Sequence, residues 1–164
     1  AAVALHEAEE WNILEWEQRN FVNVPPKTRA STRTFLVFFS LLGFLLTGMA
    51  VLLGSPKLAA WIVLAFAAGA SLNALQHVYY AVLFRQYAPG VITAILLCVP
   101  TCSYLVLRAL QEHLVPPGYV AALLAVVVLG LIQTMKEGNT FGPFFRAVSQ
   151  SGMILAKWLH ISRE

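Results

Sequence analysis

The sequence predicts an all-α, polytopic membrane protein: a helical bundle of four transmembrane helices, with an N-terminal helix carrying a polar face and a C-terminal amphipathic helix. Three observations predict it. Apolar residues make up 59% of the chain and charged residues only 12%, about half the charged share of a soluble domain. The mean hydropathy is +0.70. Four apolar runs each come near the length of about 20 residues that crosses a hydrocarbon core. The 164 residues therefore suit one compact bundle, with residues 1–136 as the transmembrane part and 137–164 as a cytoplasmic or interfacial tail.

The four runs lie at about 34–53, 57–84, 91–110 and 116–135. "GSPK" at 54–57, "RQYAPG" at 85–90 and "EHLVPPG" at 112–118 separate them, because Pro removes a helical donor and Gly favours a turn. Pro100 falls inside the third run and is expected to kink it. Beyond Lys136 a Gly and Pro-containing loop precedes a segment with Val148, Met153, Ile154 and Trp158 among polar residues, which suits a helix lying at the membrane interface. The chain has no internal repeat. It starts without Met, which raises the expectation of something before Ala1, and residues 1–5 are too short for a signal peptide.

The formal net charge of +3 arises from basic residues in loops and tail, where membrane topology explains them and no nucleic-acid partner is expected. If residues 1–18 also cross, one side collects Arg19, Lys27, Arg29, Arg33, Arg85, Lys136, Arg146, Lys157 and Arg163, and the other only Lys57 and Arg108. This asymmetry predicts an integral, multi-pass protein with a cytoplasmic C-terminus. Cys98 and Cys102, four apart in an apolar run, read as small hydrophobes. Trp11, Trp16, Tyr87 and Trp158 read as interfacial anchors, and Glu7, Glu15 and Glu17 as solvated or paired groups near helix ends. Thr101, Ser103 and Tyr104 satisfy their own helix or line a pocket beside Pro100.

Residues 5–20, "LHEAEEWNILEWEQRN", hold five of the eight acids. On a helix, His6, Glu9, Glu10, Ile13 and Glu17 share one face. Ionisable groups facing acyl chains cost at least about 2.5–3.5 kcal/mol each, so this stripe should turn inward. Asn73, Gln76, His77 and Tyr80 form a second polar stripe at helical spacing. Glu10 precedes Arg19 by nine residues and His77 precedes Arg85 by eight, which puts both roughly 12–14 Å inward of the same side. Parallel helices would thus bring His6 beside Asn73 and Glu10 beside His77.

"HEAEE" at 6–10 resembles the H-x-x-E-E motif of the HXXEE family of small integral membrane proteins, and "YAPGVITA" at 87–94 looks like a second shared segment. The resemblance extends over most of residues 1–135. It implies functional weight for His6, Glu9 and Glu10, and more loosely for His77, Tyr87, Pro89 and Gly90, without implying a reaction.

The residues themselves admit three readings. His6, Glu10 and His77 can ligate one divalent metal ion, Zn or Fe, with Glu9 beside them. A metal-free acid/base pocket using His6, Glu9, Glu10 and His77 is the second, and a hydrogen-bonded lock between helices the third. In the first two, Asn73 orients its neighbours, and Gln76 and Tyr80 contact substrate or support the ligands. The functional expectation is a membrane-embedded enzyme acting on a lipid-soluble or small hydrophobic substrate. The alternative is an accessory subunit that pairs its polar stripe with partner subunits in the bilayer. Serine-hydrolase, nucleotide-binding and zincin motifs do not occur.

Overall fold

The computed structural model describes residues 1–161. Arg163, counted among the basic residues above, lies outside them. The order is α1 (Ala2–Glu9), α2 (Ile13–Asn20), α3 (Arg29–Leu52), α4 (Pro56–Phe84), α5 (Val91–Gln111), α6 (Pro117–Glu137) and α7 (Pro143–Trp158). Four of these, α3 to α6, are long and apolar enough to span a membrane. The chain is an all-helical, multi-pass membrane bundle, and among the described residues the only β pairing is an isolated bridge between Val22 and Thr140.

Local chemistry sets the boundaries. Thr28 and Ser31 exchange hydrogen bonds of 3.0 Å in a capping box that starts α3. Ser55 accepts from the Leu58 N–H, and Pro56 opens α4. Arg85 closes α4 in the left-handed region at φ 51°. Gly90, at φ +94°, turns the chain into α5.

Pro100 distorts α5 by the route expected of a residue with no N–H. The turn over Ala94–Cys98 widens to a π-helix, with the Val99 N–H reaching back to the Ala94 carbonyl. A π-bulge adds a residue to one turn, so the segment before it is rotated relative to the segment after it.

The N-terminal segment is not one long helix. The Trp11 N–H bonds to the Ala8 carbonyl and the Ile13 N–H to the Glu10 carbonyl, which tightens residues 10–12 into a turn between α1 and α2. Both helices pack inside the bundle and run the same way as α4. Val3 packs with Ala67, Ala70 and Cys102, and further along Ile13 and Trp16 pack with Tyr80 and Ala88.

Two readings require correction here. Trp16 is 6% exposed and packed edge-on and tilted among Phe21, Tyr80 and Phe84, so it is core and not an interfacial anchor. Glu7 is 4% exposed, buried and not solvated. Both follow from α1 and α2 being covered on several sides, which a single polar stripe does not reveal. Trp11, Tyr87 and Trp158 are exposed as anchors should be, and Glu15 and Glu17 pair with Arg29 and Lys27. Thr101 borders a small cavity of about 130 Å³ together with Cys98 and Cys102, whereas Ser103 and Tyr104 are exposed.

Helix α7 lies along α3, with Gly152 against the Ser31 carbonyl: a Cβ at Gly152 would stand 2.9 Å from that oxygen. The loop before it is tied to the α2–α3 loop, since the Val22 N–H donates to the Asn139 carbonyl and the Phe141 N–H to the Val22 carbonyl. The loops at 21–28 and 138–142 therefore share one end of the bundle.

Candidate functional site

The stripe on α1 meets the stripe on α4. Glu10 Oε1 lies 3.1 Å from His6 Nε2, 2.9 Å from His77 Nε2 and 3.3 Å from Asn73 Nδ2. Asn73 Nδ2 also stands 3.1 Å from His6 Nε2, and the two imidazoles meet edge to face with centroids 5.0 Å apart. His6, Glu10 and His77 are at most 5% exposed. Helical spacing of four residues puts His6 above Glu10 and Asn73 above His77, so two parallel helices join them in matched pairs.

These contacts fit a metal. One candidate ligand atom from each of His6, Glu10 and His77 lies within 4.8 Å of the other two. Metal bonds of about 2.0–2.1 Å to N and O imply ligand–ligand edges of roughly 3.0–3.4 Å, close to the two His–Glu separations. Two imidazoles and a carboxylate form the donor set used by both Zn²⁺ and non-haem Fe²⁺.

Glu9 faces elsewhere. Its carboxylate accepts from Tyr87 Oη at 2.7 Å and the Ile92 N–H at 3.2 Å on one oxygen, and from the Thr93 N–H at 2.8 Å and Thr93 Oγ1 at 2.5 Å on the other. It thus caps the open N–H groups of the first turn of α5. Burial opposes its ionisation, but the hydrogen bonds from Thr93, Tyr87 and Ile92 outweigh this and hold the carboxyl at about 2. The Glu9 carboxylate is therefore bound to the start of α5, whereas Glu10 meets His6 and His77. Gln76 donates to Thr134 Oγ1 on α6 at 2.7 Å and also lines the cavity beside the cluster.

Beside the cluster lies a cavity of about 380 Å³. Glu7, Glu10, Asn73 and His77 give it one polar wall; Phe35, Leu36 and Phe39 of α3 and Val148 of α7 give an apolar one. At its end the buried Glu17 pairs with Lys27, near Phe141. Tyr80, Trp16 and His77 also line it, and Tyr80 Oη, Trp16 Nε1 and His77 Nδ1 have no hydrogen-bond partner among the described residues. Glu7 brings a second carboxyl to the cavity, raised above the usual carboxylate range by burial and then by the Glu10 charge.

Sequence reasoning missed Glu7 and Thr93. Thr93 lies in the 87–94 segment, but a threonine in the first turn of a helix is so often a local cap that spacing alone gives it no weight. Its meaning comes from His6, 87 residues away, whose Nδ1 lies 2.9 Å from Thr93 Oγ1.

Comparison with known proteins agrees with the motif. The family described as "Protein of unknown function with HXXEE motif" matches residues 1–105. The chain is 25% identical over 134 residues to the "Uncharacterized protein YrkK" of Bacillus subtilis (strain 168), covering 80% of this chain and 83% of that protein. No solved structure matches.

Proposed function

Since the chain belongs to the HXXEE family, whose motif residues His6 and Glu10 converge on His77, we propose that it is a membrane-embedded, metal-dependent enzyme. His6, Glu10 and His77 hold one divalent ion, Zn²⁺ or Fe²⁺. A lipid-soluble or small hydrophobic substrate occupies the adjoining cavity. The carrying observation is the approach of both His Nε2 atoms to one Glu10 oxygen, at 3.1 and 2.9 Å, on the wall of that cavity.

A bound ion would supply Lewis-acid polarisation of a substrate oxygen or of water. The protein's own residues do the rest. Asn73 orients Glu10 through its amide, and the apolar wall excludes water and holds the hydrocarbon part of the substrate. Tyr80 Oη and Trp16 Nε1, buried without partners, favour a substrate with at least one hydrogen-bonding group. The basic asymmetry supports an orientation with the 21–28 loop and the C-terminal tail in the cytoplasm.

Elemental analysis of detergent-purified protein tests this reading. About one equivalent of Zn or Fe is expected, lost in His6→Ala and Glu10→Gln variants that keep the wild-type helical circular dichroism. Metal at background level in wild type grown with either ion would overturn it. Stable co-purifying membrane proteins in that case would favour the accessory-subunit reading.

A further inference from the structure

The geometry points to Glu9 and Thr93 as a positioning pair that fixes His6 in its Nδ1–H form, leaving Nε2 unprotonated at the His–Glu cluster, where its lone pair accepts from Asn73 and a metal would take the place of that hydrogen bond. This deepens the proposed metal site, on which it rests for its effect on metal binding. The tautomer itself does not depend on a metal.

The assignment follows from counting protons around one oxygen. Thr93 Oγ1 lies 2.5 Å from Glu9 Oε2, 3.2 Å from the Gly90 carbonyl and 2.9 Å from His6 Nδ1. A carbonyl oxygen only accepts. The Glu9 carboxylate, already receiving Tyr87 Oη and two backbone N–H groups, accepts as well. The single Thr93 hydroxyl proton is therefore committed to one of these, and the contact with His6 requires the imidazole to donate from Nδ1.

The other ring nitrogen is then an acceptor. Asn73 Nδ2 supplies it with a hydrogen bond at 3.1 Å and donates to Glu10 Oε1 at 3.3 Å, so the amide places positive hydrogens between two electron-rich atoms. Those two atoms, His6 Nε2 and Glu10 Oε1, stand 3.1 Å apart. With the proton held at Nδ1 they repel each other unless a cation or the Asn73 amide lies alongside. This is the state a metal ligand needs, and an outer hydrogen bond to a carboxylate or its relay is the usual device for setting it.

The two glutamates of the motif thereby serve opposite ends of one imidazole. Glu10, four residues on from His6, meets Nε2. Glu9, three residues on, reaches Nδ1 through Thr93, and its attachment to Tyr87, Ile92 and Thr93 ties the start of α5 to α1.

Nitrogen-15 NMR of the metal-free, histidine-labelled protein in micelles reads the tautomer directly, with His6→Gln assigning the signal. Wild type is expected to carry the His6 proton on Nδ1. Thr93→Val leaves only the Gly90 carbonyl beside His6 Nδ1 and should raise the share of the Nε2–H form and lower Zn²⁺ affinity by about tenfold or more, the usual cost of removing such a partner; Thr93→Ser should restore both. An Nε2–H His6 in wild type, or an Nδ1–H His6 unchanged in a folded Thr93→Val variant, would overturn the pair. If the tautomer responds to Thr93 as expected but no Zn²⁺ binds the wild type, the positioning pair stands and the metal reading fails.

Discussion

At the scale of single residues, Gly90 shows how closely backbone and site are fitted. A Cβ there would come 2.9 Å from His6 Cε1 and 3.1 Å from Glu10 Cγ, and the backbone φ of +94° disfavours any L side chain. Gly90→Ala should therefore cost stability by roughly 1–3 kcal/mol and also displace His6. Chemical denaturation in micelles, together with metal content, checks this: lower stability with less bound metal is expected, and wild-type values for both would show that the approach is not constraining. The motif histidine is thus approached at Cε1 by Gly90, at Nδ1 by Thr93 and at Nε2 by the cluster.

At the scale of elements, close helix approaches decide which faces meet. A Cβ at Gly130 would stand 2.6 Å from Leu72 Cδ2, so the Leu72 side chain of α4 packs into the space that Gly130 leaves on α6. The approach also brings Thr134 to Gln76, which donates to it. Gly130→Val should lower the thermal midpoint in detergent, equivalent to about 1–3 kcal/mol of overpacking. Gly118→Ala on the same helix, where a Cβ meets nothing within 4 Å, should leave it nearly unchanged. Equal midpoints for the two variants would contradict a tight α4–α6 contact. The π-turn at Ala94–Cys98 acts at this scale too, since Ala94 and Cys98 pack with Ala74 on α4 just beyond Thr93.

At the scale of the molecule, the loops at 21–28 and 138–142 are joined at one end, while the α5–α6 turn follows the long α5 away from the turn at Arg85–Gly90. The proposed orientation places the joined loops in the cytoplasm. Single cysteines at the exposed positions Asn23, Asn139 and His113 test it, because Cys98 and Cys102 are buried. A membrane-impermeant maleimide on intact cells should label His113→Cys alone, and the other two should react only after permeabilisation. The reverse pattern would invert the orientation without altering the fold.

The sequence by itself determined the four spans, the breaks between them and the two polar stripes. These are set by hydrophobic run length, by Pro and Gly, and by helical period, all properties of neighbouring residues. It also determined that His6, Glu10, Asn73 and His77 lie at compatible depths, because rise per residue is fixed. Tertiary structure alone decided which way each carboxylate points. Adjacent glutamates on a helix project about 100° apart, so Glu9 and Glu10 cannot both face α4. Glu10 went to His77, and Glu9 to the open N–H groups of α5, a choice that depends on where α5 packs. The same packing gave Thr93 its place against His6, buried Glu7 and Trp16, and laid α7 on α3 beside the cavity. None of these partners is near in sequence, and for Glu9, Glu10 and Thr93 the choice answers the need to satisfy polar groups in a medium that offers no water to do so.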